Sequence, residues 1–221
     1  MVWDHKLLLI YITCFSPKRG YFGAQNNDDY PEIIIDSIPV PDFISDKTNY
    51  YDAKSLLISR IKKLDTYEVD IIGLACNTAH LLYPELVKRT KVFFPSLIDL
   101  VCQQALKKKY HRVGILATPT TIRSKLYQNS LKKLLIKPIV PKTKTINYLE
   151  KIIRKVINGH KINKNRLYKI SVNFIKENNL DGLILGCTEL PYVFPRSRFS
   201  SNQIIDCLDI LADTLINYHK C

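Results

Sequence analysis

The sequence predicts an α/β protein built from two pseudo-symmetric halves, each a parallel sheet with helices on both faces. The first observation is that apolar, strand-like runs alternate with segments of helical periodicity along the 221 residues. The second is a repeat, because "VDIIGLACNT" at 69–78 and "LDGLILGCTE" at 180–189 have the same form. Neither run alternates polar and apolar residues, as expected for strands buried on both faces. We expect the functional site in the cleft between the halves.

The first half contains three predicted strands and three predicted helices. Short apolar runs bounded by turn residues predict the strands, and apolar residues at helical spacing predict the helices. Asn77 is a favoured residue type at the start of a helix. The predicted strands are 31–37, 69–76 and 91–96, and the predicted helices are 51–64, 77–89 and 97–109.

The second half begins with "HRVGILATPTT", which predicts a strand and then a helix start at Pro119. Further strands are expected within 136–140, 181–187 and 203–206, and helices within 124–135, 147–157, 166–178 and 207–220. We therefore place the first α/β half at 1–103, with residues 1–23 atypical, and expect a C-terminal helix at 206–221 to complete it. The second α/β half then covers 104–205.

The net charge of +13 raises the question of a nucleic-acid partner. The lysines lie between apolar residues at helical spacing, which is typical of the solvated faces of amphipathic helices. The chain also lacks a finger spacing, an aromatic-rich RNA-binding motif and a basic tail. We expect no nucleic-acid partner, and a basic nucleic-acid-associated protein remains an alternative from another class.

The other compositional features favour a cytoplasmic protein without a membrane partner. The apolar run "KLLLIYITCF" at 6–15 is too short to span a bilayer, and we interpret it as a buried strand. The six cysteines form no CxxC pair and have no histidine at metal-ligand spacing, so we expect no metal site. Their wide spacing suits a reducing compartment better than a disulfide scaffold.

Cys76 and Cys187 are the candidate reactive residues because each follows a predicted strand and precedes a predicted helix. In parallel sheets, ligands bind beyond the carboxyl ends of the strands. The free N–H groups at a helix start lower a thiol pKa and can bind a carboxylate. Two such thiols with nearby threonine hydroxyls are what a two-base proton transfer needs. We expect the other cysteines to be small buried hydrophobes.

The motifs "CNTAH" and "GCTE", with "DSIPVPD" upstream and "GILAT" followed by "TI" between them, resemble the aspartate/glutamate racemase family over residues 24–215. Glutamate racemases carry a histidine after the second Cys-Thr pair, whereas Glu189 stands there in this chain. That difference favours the aspartate branch. The resemblance implies the aspartate racemase-like fold and racemisation of L- and D-aspartate, or of a related amino acid such as glutamate, without pyridoxal phosphate or any other cofactor. It also leaves a homodimer open.

The resemblance further implies a role for each residue of the motifs. One of Cys76 and Cys187 would remove the Cα proton as a thiolate, and the other would return a proton to the opposite face. Glu189 would bind the α-amino group or orient the second half of the site. The implied substrate-binding residues are Asn77, Thr78, Thr121, Thr188, Glu189 and Ser37.

Two further residues allow more than one interpretation. Asp36, with Ser37, would border the pocket or would merely cap a turn. His80 would tune the thiol of Cys76 from one helical turn away, or would pack at the helix surface.

Departures from the family pattern suggest an alternative function. Residues 1–23 lack the Gly-Gly-x-Gly-Pro turn of the family and are expected to be a truncated or rearranged N-terminus. Phe43 and Ile157 stand where relatives often have Arg and Lys, and Thr120 replaces a glycine. Loss of two cations favours a substrate with a less charged side chain. The alternative is a catalytically impaired homologue that only binds a small carboxylate ligand.

Overall fold

The computed structural model describes residues 31–41, 49–200 and 202–219. The chain divides into two compact units, and each is described by itself. The first unit comprises Met1–Gly73, Leu82–Phe94 and Leu211–Cys221. The second comprises Leu74–Leu81 and Pro95–Ile210. Both candidate cysteines therefore belong to the second unit.

The second unit contains a four-stranded sheet whose neighbouring strands are all parallel. Its strands are β1 (Arg112–Ala117), β2 (Lys137–Ile139), β3 (Gly182–Gly186) and β4 (Ile204–Asp206), in the order β2-β1-β3-β4. The central strands β1 and β3 are almost completely buried, which explains their uninterrupted apolar sequences. The predicted α/β class with a parallel sheet is confirmed.

Along the described chain, helices precede, separate and follow these strands. They are α1 (Tyr50–Asp65), α2 (Tyr83–Leu86), α3 (Leu97–Lys107), α4 (Pro119–Arg123), α5 (Leu126–Lys133), α6 (Thr143–Ile157), α7 (Lys164–Asn178), α8 (Leu190–Val193) and α9 (Cys207–His219). Short 3-10 turns occur at Thr78–Leu81, Val87–Arg89 and Arg196–Arg198. Helices α6 and α7 bury Leu149 and Leu167 in the same apolar core as Leu183 and Leu185 of β3.

The register of the sheet brings three functional segments to one edge. Ala117 of β1 pairs with Gly186 of β3, and Leu185 pairs with Asp206 of β4. The residues that follow these strand ends are Thr118, Cys187 and Cys207. Because parallel strands end at the same edge of a sheet, these residues lie where such folds bind ligands.

The first unit contains the long helix α1, whose buried face is formed by Ala53, Leu57 and Ile61. Asp36 forms an ion pair with Arg60 of this helix at 3.8 Å. Ser37, in the segment 31–41 of the same unit, is half-buried. The helix bounds agree with the amphipathic pattern seen in the sequence.

The prediction of regular strands in the first half is wrong. Residues 31–37 form no strand, and 69–76 and 91–96 meet only at an isolated parallel bridge between Ile71 and Phe93. An apolar run becomes a strand only when a partner continues the ladder, and this pairing stops after one bridge. The predictions made for residues 1–23 and for Phe43 lie outside the described residues.

The prediction of one continuous helix at 77–89 is also wrong. It is divided into the 3-10 turn Thr78–Leu81, the short helix α2 and the 3-10 turn Val87–Arg89. Pro84 lies in the first turn of α2, where its missing N–H is tolerated because no helical partner is needed there. The interruption falls at Leu82, immediately before α2 begins.

Candidate active site

Cys187 lies directly after β3 and is bonded to the acid two residues later. Its thiol donates a hydrogen bond to Oε2 of Glu189 at 2.8 Å, and the hydroxyl of Thr188 donates to the same oxygen at 3.1 Å. Cys187 and Glu189 are both buried. Burial raises the pKa of the Cys187 thiol well above its ordinary value, and the negative charge of Glu189 raises it further. The unliganded site therefore holds Cys187 as a thiol.

Cys76 lies in the turn that precedes the 3-10 segment and is half-buried. Burial raises the pKa of its thiol, and the charge of Glu189 raises it further. The backbone N–H groups of Ala79 and Thr78 act in the opposite direction, because they donate to the sulfur. The sequence predicted a lowered pKa for Cys76 and Cys187 from such N–H groups, and that prediction is wrong for the unliganded site, because burial and the charge of Glu189 outweigh them.

Glu189 is the carboxylate that both candidate thiols share. Its charge contributes to the raised pKa of Cys76 and to that of Cys187, so it lies within electrostatic reach of both. No cation is among the charged groups that act on these two thiols in the described part of the chain. The pKa values of both thiols thus depend on one anionic side chain.

Asn77 has a more structural position than the sequence suggested. Its Nδ2 donates to the sulfur of Cys207 at 3.3 Å, and its Oδ1 accepts a hydrogen bond from the hydroxyl of Tyr127. All three residues are buried. The side chain of Asn77 is therefore held on two sides, next to the candidate catalytic cysteine.

Three threonines form a chain of hydroxyl groups beside Cys76. The hydroxyl of Thr118 donates to Oγ1 of Thr121 at 3.0 Å, and Oγ1 of Thr121 lies 3.1 Å from Oγ1 of Thr78. Thr118 also accepts the backbone N–H of Thr121 at 3.2 Å, which caps helix α4. Thr78 and Thr121 were predicted as substrate-binding residues, and the structure brings them together.

His80 does not pack at a helix surface, and its tuning of the Cys76 thiol stays a prediction. It is buried, its Nε2 accepts the backbone N–H of Leu97 at 3.0 Å, and its Nδ1 lies 2.8 Å from the carbonyl oxygen of Cys76. Since Nε2 accepts, Nδ1 carries the proton and donates. Burial lowers the pKa of His80 to about 4, so the ring is neutral. His80 connects the Cys76 turn to the start of α3.

The predicted site residues thus divide between the units. Cys76, Asn77, Thr78, Thr121, Cys187, Thr188 and Glu189 all belong to the second unit, whereas Ser37 belongs to the first. The role of Ser37 stays a prediction, as do the catalytic and binding roles of the others. Among the described residues no cluster of His, Cys, Asp or Glu could hold a metal ion. Within the same residues no helix has the length and apolar character to cross a bilayer.

Sequence reasoning did not select Tyr127, Cys207 or Thr118 for this site. Thr118 precedes Pro119, and a threonine before a helix-starting proline is a recognisable cap signal. Tyr127 has no such signal, because its partner Asn77 lies 50 residues away in the chain. Cys207 was predicted to be a small buried hydrophobe, and it is fully buried.

The fold is that of an α/β protein of the aspartate racemase type. A solved aspartate racemase homologue from Pyrococcus horikoshii OT3 matches with a TM-score of 0.80 at 26% identity, covering 97% of this chain and 94% of that one. The aspartate racemase of Picrophilus torridus matches with a TM-score of 0.77 at 25% identity, covering 96% and 87% of the two chains. The sequence pattern of the Asp/Glu/hydantoin racemases matches residues 12–215, and the chain belongs to that family.

Curated relatives of the chain are named as amino-acid racemases. A broad-specificity amino-acid racemase of Bacillus subtilis (strain 168) is 32% identical over 114 residues, which is 50% of this chain and 48% of the relative. A glutamate racemase of Prochlorococcus marinus (strain NATL2A) is 28% identical over 159 residues, or 69% of this chain and 56% of the relative. The chain spans about half the length of these relatives.

Proposed function

We propose that the protein is an amino-acid racemase that transfers the Cα proton between Cys76 and Cys187, with L- and D-aspartate as the leading substrates. The observation that carries this proposal is that Glu189 accepts a hydrogen bond from the Cys187 thiol at 2.8 Å while its charge also acts on the Cys76 thiol. Family membership supports an enzyme of the racemase type. The reaction uses no cofactor in this proposal.

The proposed step balances as a two-base exchange. The thiolate of Cys76 takes the proton from Cα, and the C–H electron pair remains on the substrate as a carbanion. The thiol of Cys187 then gives its proton to the opposite face of Cα and becomes a thiolate. For the other enantiomer the two cysteines exchange roles.

Substrate charge would help to form the reactive thiolate. Before substrate binds, burial and the charge of Glu189 raise the pKa of both thiols. A substrate α-ammonium beside Glu189 would offset that negative charge and so lower both thiol pKa values. The Ala79 and Thr78 N–H groups already favour the thiolate of Cys76, which makes Cys76 the first base in this proposal.

The carboxylate of the substrate would bind at the threonine hydroxyls. Thr78 and Thr121 are buried hydrogen-bonding groups close to Cys76, and an α-carboxylate can accept from such donors. The side chain of the substrate is less restricted by these contacts. Aspartate and glutamate are the first candidates, and an amino acid with a less charged side chain is the second.

Proton exchange at Cα in D₂O tests the proposal directly. L- and D-forms of aspartate, glutamate, alanine and lysine are followed by NMR with the wild-type protein, Cys76→Ser and Cys187→Ser. We expect exchange with the wild type and loss of racemisation in each variant. Ser59→Ala is the control, because it removes an exposed hydroxyl on α1 of the first unit, and it is expected to retain activity.

The opposite results have distinct meanings. If the folded wild type exchanges none of these amino acids yet binds one of them, the catalytically impaired homologue is the better description. If either cysteine variant racemises at the wild-type rate, the two-thiol mechanism is wrong. The cytoplasmic location and the homodimer are also proposals, and sedimentation of the purified chain tests the second.

A further inference from the structure

Tyr127 contacts the segments that carry both candidate catalytic cysteines. Its hydroxyl donates to Oδ1 of Asn77, the residue after Cys76. Its ring lies against Gly186, the residue before Cys187, so closely that a Cβ at 186 would be 2.8 Å from Cε2 of the ring. Tyr127 is fully buried.

We propose that Tyr127 is a positioning residue that sets the distance and orientation between Cys76 and Cys187. This rests on the proposed two-thiol racemisation. Tyr127 would act through its neighbours, because its hydroxyl fixes the Cys76 turn and its ring supports the strand end that carries Cys187. It does not itself exchange a proton with the substrate.

Asn77 uses both ends of its side-chain amide. Its oxygen accepts from the Tyr127 hydroxyl, and its nitrogen donates to the sulfur of Cys207 at 3.3 Å. Cys207 is the first residue of α9, and the preceding Asp206 caps that helix by accepting the N–H of Leu208 at 2.9 Å. The Cys76 turn is therefore connected to the ends of β4 and β3 through Asn77 and Tyr127.

The ring accounts for the small residue before Cys187. An ideal Cβ at 186 would also lie 3.2 Å from Cβ of Ala117 on the neighbouring strand. Glycine lets the aromatic ring approach the backbone of β3 directly. The same side chain thus determines how near the two cysteine-bearing segments stand.

The test compares Tyr127→Phe with Tyr148→Phe, which removes the same hydroxyl elsewhere in the second unit. Tyr148 lies on α6, half-buried, with the guanidinium of Arg166 4.4 Å from its ring centroid. For Tyr127→Phe we expect kcat to fall about tenfold while KM stays within about twofold, the loss expected for one buried hydrogen bond. Tyr148→Phe is expected to match the wild type in both constants.

A second readout does not depend on turnover. Peptide mass spectrometry gives the rate at which iodoacetamide alkylates Cys76 and Cys187 as a function of pH. Loss of the Tyr127 hydroxyl releases Asn77 and weakens the N–H contacts of Ala79 and Thr78 with the Cys76 sulfur. We expect the alkylation midpoint of Cys76 to move up by about half a pH unit or more, with Cys187 shifted less.

An unchanged Cys76 midpoint together with a wild-type kcat in Tyr127→Phe would overturn the inference. If the wild type shows no turnover, the proposed function fails, but the alkylation midpoint still decides whether Tyr127 positions Cys76. Should Tyr127→Phe fail to fold, Cys207→Ala removes the other partner of Asn77. That variant is then expected to show the same upward shift, and its absence would count against the inference.

Discussion

The thiol of Cys187 donates a 2.8 Å hydrogen bond to the carboxylate of Glu189. This bond and the charge of Glu189 both favour the protonated sulfur. Cys76 receives the backbone N–H groups of Ala79 and Thr78, Cys187 receives that of Glu189, and the charge of Glu189 acts on both thiols. The two sulfurs therefore differ before substrate binds, and this difference suits Cys187 to the proton-donor role proposed for it.

The first prediction concerns the charge of Glu189. Glu189→Gln removes a negative charge that raises the pKa of both Cys76 and Cys187, so both pKa values should fall. The alkylation of each thiol would then reach its half-maximal rate at a lower pH, while KM for the amino acid would rise because the ammonium loses its partner. Glu177→Gln, an exposed change on α7, is the control. An upward or absent shift in Glu189→Gln would contradict this assignment.

The second prediction concerns His80 and acid stability. Burial lowers the pKa of His80 from 6.5 to about 4. Between these values the unfolded chain binds a proton that the folded chain does not, so stability falls as the pH falls. The shift corresponds to about 3 kcal/mol, lost progressively from pH 6.5 to 4.

Urea unfolding at several pH values checks the effect of His80. His80→Gln should be less stable than the wild type at pH 7. The difference between their free energies of unfolding should narrow by about 3 kcal/mol on acidification. His160→Gln changes an exposed histidine and should follow the wild type throughout. If the free energies of unfolding of His80→Gln and the wild type differ by the same amount at every pH, the buried ring does not cause the loss of stability in acid.

The third prediction concerns the contact between Gly186 and Tyr127. In Gly186→Ala the new methyl group would meet the ring at 2.8 Å, so the free energy of unfolding should fall by about 1–3 kcal/mol. The double variant Gly186→Ala/Tyr127→Leu removes the ring atoms involved. The double variant should lose less free energy of unfolding than the two single variants lose together, as expected for residues in contact. Additive losses in denaturant unfolding would argue against the contact.

The fourth prediction concerns the hydroxyl of Thr121. Thr121→Val keeps the shape of a fully buried side chain but removes the middle hydroxyl of the threonine chain. We expect KM for the amino acid to rise about tenfold, with a smaller change in kcat. Thr143→Val, at the exposed first residue of α6, provides the control. An unaltered KM in Thr121→Val would remove this residue from the binding site.

The second unit was predictable because its main signals are local. Uninterrupted apolar runs identified β1 and β3, since central parallel strands are buried on both faces. The repeat of a cysteine after such a run pointed to Cys76 and Cys187. Helical periodicity identified α6 and α7, because their buried faces recur at helical spacing, and it identified α1 of the first unit in the same way.

The failures concern interactions between distant parts of the chain. The segments around Ile71 and Phe93 have strand-like composition, but composition does not tell how far a ladder continues. The role of His80 depends on the N–H of Leu97, 17 residues later. Tyr127 and Cys207 acquire their roles only through Asn77, and nothing in the local sequence marks a buried amide as their common partner.

The threonine chain ends at Thr78. Thr118 donates its proton to Thr121, and in the pair Thr121–Thr78 either hydroxyl can donate to the other. When Thr121 donates to Thr78, the Thr78 proton is left for an outside acceptor such as a carboxylate, and hydroxyl groups aligned in this way reinforce one another. A zwitterion entering the site would meet a hydrogen-bond donor here and an anion at Glu189. This pair would orient an amino acid head to tail, so that Cα is presented to the sulfurs in one sense only.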